Sequence, residues 1–188
     1  MTDRFDNFAD LSAEMTAEID YRIRAEDRGS AVVILAPHGG TIEPETSLIA
    51  EAIAGSDYSY YLFEALKAGA HGDFHITSHR FDEPQALELV AGATVAVAIH
   101  GRKDDGTETV WLGGRAEALR DAIGVALRDA GFDAAPNTTL PGVHETNICN
   151  RTRSGEGVQL ELPRTLRRSL VEDADMLARF CLAVRGAL

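Results

Sequence analysis

The sequence predicts an α/β fold, a single domain with a mixed central sheet flanked by helices, and three observations carry that expectation. Two apolar runs, Val32-Val33-Ile34-Leu35-Ala36 and Thr94-Val95-Ala96-Val97-Ala98-Ile99, lack the alternation of half-exposed strands and suit strands covered on both faces. Segments with helix-like apolar spacing alternate with such strands along the chain. The 188 residues are enough for one domain with a real core and short for two. Residues 1–188 are therefore read as one domain, with 1–20 as a peripheral N-terminal segment.

Within that segment Phe5, Phe8, Leu11 and Met15 recur at steps of three to four, as in a short amphipathic helix. Tyr21-Arg22-Ile23-Arg24-Ala25 alternates like an edge strand, and Arg28-Gly29-Ser30 turns into the first buried strand. Pro37, Gly39 and Gly40 are expected to end that strand in a tight turn carrying His38 and Glu43. Pro44 suits the first turn of a helix, Glu45 complements its dipole, Leu48, Ile49, Ala52 and Ile53 form its apolar face, and Gly55 stops it. Tyr58 to Phe63 is aromatic and β-like. Phe74-His75-Ile76-Thr77 reads as another short strand after the Gly69-Ala70-His71-Gly72 loop. Asp82 to Val90 is a short helix with Pro84 near its start and Gly92 at its close. After the second buried strand come a strand at Thr109-Val110-Trp111-Leu112 and an amphipathic helix from Arg115 to Gly131, with Leu119, Ile123, Ala126 and Leu127 inward. Ala134 to Gly155 is the longest irregular stretch. From Gly157 to Pro163 a strand points Val158, Leu160 and Leu162 one way and Gln159 and Glu161 the other. Leu166 to Leu188 supplies one or two closing helices.

The formal net charge of -12, with no basic cluster, excludes a nucleic-acid backbone as the main partner. No apolar run approaches the roughly 20 residues that cross a bilayer, and Met1 to Asp20 lacks a signal-peptide pattern, so no membrane association is expected. Cys149 and Cys181 stand far apart without CxxC spacing, which suits a reduced interior. A cytoplasmic location follows as the expectation, with release by lysis as the route outward. Only Lys67 and Lys103 are lysines, against sixteen arginines, so the positive charge is mostly of the forked kind that grips carboxylates.

His38 and Glu43 follow the first buried strand and His100 ends the second, the place where open α/β sheets bind ligands. Catalytic zinc typically takes three ligands from His and carboxylates and leaves one position for water, and these three supply such a set. Glu43 also fits a helix-capping acid, and His100 alone fits a packed core histidine. Glu161, an acid among apolar neighbours, is the candidate general base, or else half of a structural ion pair. Arg102 is the simplest donor to a tetrahedral oxyanion, or else the holder of a structural acid. His79 and Arg80 fall in a loop that could reach the same cleft. The four-residue steps of His71, His75 and His79 would align on a helix, but Gly72, Ile76 and Thr77 make a helix a poor choice, so they are not read as a metal face. Asn147, Asn150 and Arg151 lie in the long irregular stretch as candidate functional groups.

In order along the chain, Ala36-Pro37-His38-Gly39-Gly40-Thr41-Ile42-Glu43, Ile76-Thr77-Ser78-His79-Arg80-Phe81, His100-Gly101, Asn147-Ile148-Cys149-Asn150-Arg151 and Gly157-Val158-Gln159-Leu160-Glu161-Leu162 resemble the phage-type poly-γ-glutamate hydrolase family. The resemblance spans roughly residues 30–170. It implies a fold like that of zinc carboxypeptidases and of the aspartoacylase and succinylglutamate desuccinylase group. It also implies one zinc ion on His38, Glu43 and His100, with Glu161 as base and the Asn147, Asn150 and Arg151 group binding a substrate carboxylate. The implied activity is zinc-dependent hydrolysis of γ-glutamyl amide bonds, in the polymer or in shorter peptides. The net charge opposes long-range capture of a polyanion and favours a small acidic amide. The alternatives are a zinc deacylase of N-acyl amino acids or aminoacyl esters, and a non-catalytic phage-related accessory protein.

Overall fold

Val33, Ile34, Leu35 and Ala36 are wholly buried because the strand that carries them is covered on both faces. The computed structural model describes residues 3–67 and 71–188; Met1 and Thr2, and Gly69 and Ala70 of the expected loop, lie outside the described residues. The chain runs α1 (Phe8–Glu14), β1 (Tyr21–Glu26), β2 (Val32–Gly40), α2 (Thr46–Ala54), β3 (Ser59–Ala65), α3 (His71–Phe74), α4 (Pro84–Gly92) and β4 (Val95–Arg102). It continues through β5 (Val110–Gly113), α5 (Glu117–Asp129), β6 (Ala134–Pro136), a 3₁₀ turn (Ile148–Asn150), β7 (Val158–Pro163), α6 (Arg164–Glu172) and α7 (Ala174–Gly186). Among the described residues the strands form one seven-stranded mixed sheet in the order β1-β3-β2-β4-β7-β5-β6. β3, β2, β4 and β7 are parallel, β1 closes one edge antiparallel, and β5 runs antiparallel to β7 with β6 parallel beside it.

Successive residues of β2 and β4 enter opposite cores, which explains their unbroken apolar runs. Ile34, Ala36, Val97 and Ile99 pack with Ile49 and Ile53 of α2, Ile123 and Leu127 of α5 and Phe180 of α7. Val33, Leu35, Ala96 and Ala98 pack with Leu11, Phe74, Ile76, Phe81 and Val90 on the other side. β7 breaks this symmetry. Val158, Leu160 and Leu162 join the first core, while Gln159 and Glu161 stand on the second face as the alternation requires. There a loop covers the strand: Gln159 Nε2 donates to the Leu140 carbonyl at 3.3 Å, and its Oε1 accepts from Asn147 Nδ2 at 2.9 Å.

Four local expectations are corrected. The N-terminal segment is not peripheral, since Phe5 and Leu11 are buried in the second core. β2 does not end at Pro37 but runs to Gly40, pairing Gly39 with Glu64 and Gly40 with Ala65 after a register shift. The irregularity accommodates a proline that has no N–H to give. α2 begins at Thr46, with Glu45 in the left-handed region at φ 74°, because residues 43–45 form the turn that carries Glu43 toward β4. Leu48 consequently faces solvent, and Thr46, Ser47 and Ala50 turn inward. Phe74 to Thr77 is no strand: Phe74 ends α3, and Phe74 and Ile76 are apolar because they fill the second core, not because they pair. None of the described helices is long and apolar enough to cross a membrane.

Gly39 is required by close approach, since a methyl group there would overlap Ser47 Oγ and come within 2.8 Å of the Phe63 carbonyl oxygen. Gly39→Ala is expected to lower stability by about 3 kcal/mol, as overpacking against backbone does. Urea unfolding of the two proteins measures it, and an unchanged midpoint would show that β2 yields at its end.

Candidate functional site

Parallel β2, β4 and β7 end at one edge of the sheet, and each brings a polar side chain there: His38, His100 and Glu161. Glu43 joins them from the turn before α2. All three residues expected as ligands are buried, with His38, Glu43 and His100 exposed by only 2%, 6% and 3%. His38 Nδ1 lies 3.3 Å from Glu43 Oε1 and 3.2 Å from His100 Nδ1, and His100 Nδ1 lies 3.7 Å from Glu43 Oε2. His38 Nε2 approaches the Ile76 carbonyl oxygen at 2.8 Å, so it carries the proton and leaves the Nδ1 lone pair toward the cluster. Gly101 N–H donates to Glu43 Oε2 at 2.8 Å and fixes the carboxylate.

Two imidazole nitrogens 3.2 Å apart beside a carboxylate need a proton or a cation among them. The donor atoms of a tetrahedral ion with bonds of about 2.0–2.2 Å are themselves about 3.3 Å apart, close to the separations found here. The donor set therefore fits a small metal ion. Burial pushes the Glu43 carboxyl up, but His38 and His100 outweigh it and hold it well below the usual range. Burial pulls His100 down, yet Glu43 and Glu161 leave it above its ordinary value. His100 Nε2 is buried without a partner among the described residues.

His75 belongs to the same cluster, although the sequence reading set it aside as a metal ligand. His38, Glu43 and His75 each offer a ligand atom, all within 4.8 Å of one another, and the His75 ring lies 4.1 Å from that of His38. The four-residue spacing, set aside because a helix was not expected there, holds for one pair: His71 of α3 stacks on His75 at 4.8 Å, while His79 turns away to meet His144. Burial brings His75 down to about 4.

Glu161 pairs with His100 in the β4–β7 ladder, so the two side chains leave the same face of strands about 4.8 Å apart. Gln159 Nε2 donates to its Oε1 at 3.2 Å, and burial raises its carboxyl against the pull of His100. Beside the cluster opens a cavity of about 640 Å³, with Asp3, His71 and His75 on its wall and Arg102, Lys103, Arg164 and Arg167 as a basic flank.

Other expected site residues have structural occupations. Arg102 lines the cavity, and its guanidinium donates to the carbonyls of Lys103 (3.1 Å) and Thr109 (2.9 Å) and pairs with Asp105 at 2.9 Å, bracing the 103–109 loop. Asn147, Asn150, Arg151, His79 and Arg80 are not on the cavity wall. Asn150 Nδ2 donates to the carbonyls of Gly142 and His144 at 2.8 and 2.9 Å, and its Oδ1 accepts from Arg115 N–H at 3.2 Å. Arg151 Nε donates to the Thr146 carbonyl at 2.7 Å, the His79 carbonyl accepts from Thr146 Oγ1 at 2.7 Å, and Arg80 pairs with Asp3 at 3.0 Å and with Asp6. A long stretch with few ladder bonds leaves carbonyls to satisfy, and these side chains satisfy them.

A family model described as poly-gamma-glutamate hydrolase matches residues 5–180. YoqZ, an SPbeta prophage-derived UPF0714 protein of Bacillus subtilis (strain 168), is 37% identical over 180 residues, which are 94% of this chain and 65% of YoqZ. The chain thus spans about two thirds of the length of that curated relative. The structure of a bacteriophage poly-gamma-glutamate hydrolase superimposes with a TM-score of 0.94 at 30% identity, over 99% of this chain and 96% of the other. A structure of YndL described as apo and zinc-free superimposes with a TM-score of 0.92, also at 30% identity, over 98% and 96%.

Asn150→Ala removes two hydrogen bonds within residues 142–150 and one to the Arg115 N–H that precedes α5, and a loss of about 2–3 kcal/mol is expected, with faster proteolytic cutting in that loop. Unfolding and limited proteolysis check it. Wild-type stability with weakened substrate binding would instead assign Asn150 a substrate-binding role.

Proposed function

The chain belongs to the poly-γ-glutamate hydrolase family, and from that premise we propose that it hydrolyses γ-glutamyl amide bonds, with zinc on His38, Glu43 and His100 and Glu161 as general base. The observation that carries this reading is the mutual approach of His38 Nδ1, His100 Nδ1 and the Glu43 carboxylate, at 3.2, 3.3 and 3.7 Å. When bound, zinc supplies Lewis acidity that makes water a nucleophile near neutral pH and polarises the scissile carbonyl. The chain's own groups do the rest. The Glu161 carboxylate takes the proton of the attacking water and passes it to the leaving amine. The Ile76 carbonyl and the Gly101 N–H hold His38 and Glu43 in the orientation their ligand atoms require. Lys103 and Arg164 on the cavity flank meet the free α-carboxylate that every γ-linked glutamate carries. With a net charge of -12, these local charges rather than the overall field hold the anion, which favours short γ-glutamyl segments over long-range capture of polymer.

The second ligand set, His38, Glu43 and His75, is supported by its 4.8 Å clustering. Elemental analysis separates the two. We expect near one zinc per chain, lost in His38→Ala and His100→Ala and kept in His75→Ala; loss in His75→Ala with retention in His100→Ala assigns the third ligand to His75. Glu161→Gln is expected to keep zinc and to lower kcat on γ-glutamyl oligomers by about 10²–10⁴-fold. A wild-type rate in that variant would remove Glu161 as base, and absence of zinc from the wild type would remove the metallohydrolase reading.

A further inference from the structure

We infer that Asp3 is a positioning residue of the metal centre: its carboxylate fixes residues 75–77, and these hold the His38 imidazole with Nδ1 turned to Glu43 and His100. The inference rests on the metal reading above. Residues 75–77 belong to no helix or strand, yet they touch His38 twice. The Ile76 carbonyl accepts from His38 Nε2 at 2.8 Å, and the His75 ring lies against the His38 ring at 4.1 Å, tilted by 35°. The Ile76 side chain sets the depth of this stretch in the second core. Its flanks are set by Asp3. Oδ1 accepts from His75 Nδ1–H at 2.6 Å, and Oδ2 accepts from Thr77 N–H at 2.8 Å, Thr77 Oγ1 at 2.6 Å and Arg80 at 3.0 Å.

A carboxylate offers about four lone-pair sites, and four donors meet this one, three of them on Oδ2. The side chain is only 6% exposed, and burial alone would raise its carboxyl; the Thr77 and His75 bonds hold it well below the usual range and ionised. The segment that delivers it is itself anchored, by Arg4 N–H on the Gly72 carbonyl at 3.0 Å and by the buried Phe5 ring. Donation from Nδ1 also leaves the lone pair of neutral His75 on Nε2. The path from Asp3 through His75, Ile76 and Thr77 to His38 is thus a continuous set of short contacts across more than seventy residues of sequence. Asp3 lies just before the residues 5–180 that the family model matches.

Outer partners that orient a metal ligand typically change metal affinity or activity by 10–100-fold when removed. The test measures zinc affinity of the full chain by competition with a chromophoric chelator, alongside thermal unfolding. Asp3→Asn, which is isosteric, is expected to weaken zinc about 10-fold and Asp3→Ala up to about 100-fold, with kcat reduced and KM unchanged at saturating zinc. Asp6→Asn, on an exposed neighbour that among the described residues meets only Arg80, is expected to bind zinc as the wild type does. If Asp3→Ala does not fold, Asp3→Asn and Thr77→Val, which each delete part of the same contact set, carry the measurement. Wild-type zinc affinity in Asp3→Asn, whether or not its melting temperature falls, overturns the inference and makes Asp3 a tether of the N-terminal segment alone. A wild-type protein that takes up no zinc overturns both this inference and the reading it rests on.

Discussion

Glu43 is a carboxylate taken almost wholly out of water, and the arrangement around it follows from the need to keep that charge paired. Burying an unpaired carboxylate costs several kcal/mol. Here His38 and His100 face its two oxygens at 3.3 and 3.7 Å, and the Gly101 N–H donates at 2.8 Å. The turn that brings Glu43 in is tied across the sheet edge by Arg167, whose guanidinium donates to the Pro44 carbonyl and to the Arg102 carbonyl at 3.4 Å. That guanidinium lies flat against Gly101, where a Cβ would meet its Cζ at 2.6 Å. One buried charge therefore explains a glycine, a buried arginine and the strained left-handed Glu45 beside it.

The sheet supplies the asymmetry the site uses. β2 and β4 are apolar on both faces, so each can bear polar groups only at its end; β7 is apolar on one face and polar on the other, so it can carry Gln159 and Glu161 alongside. Parallel pairing then brings these ends to a common edge. Glu161 stands beside His100 because the two are register partners, not because any local sequence signal couples them. Covering the polar face of β7 falls to residues 137–150, whose own carbonyls need donors. Asn147, Asn150 and Arg151 meet that need, which accounts for the polar side chains of that stretch.

Much of the fold was legible. Unalternated runs at Val32 to Ala36 and Val95 to Ile99 marked the central strands, and the alternation from Val158 to Leu162 marked β7, because burial on two faces or one is written directly into side-chain polarity. Errors fell where an apolar residue is buried without pairing, as at Phe74 and Ile76, and where a turn takes residues from a helix start, as at Pro44. Proline and two glycines read locally as a turn, yet β2 passes through them, because a register shift absorbs Pro37 and the close neighbours Ser47 and Phe63 admit only glycine at position 39.

The sequence by itself determined the α/β class, the two strand ends that carry His38 and His100, the acid at position 43 and the acid opposite the apolar face of β7, since each depends on polarity and spacing along the chain. Only the tertiary structure decided that His75 joins the cluster, that Arg102 braces a loop, and that Asp3 reaches residues 75–77 from the far end of the chain. Those outcomes depend on which donors a fold leaves unpaired and which distant backbone it brings within 3 Å of them. Neither quantity has a period, and neither is expressed in any window of the sequence.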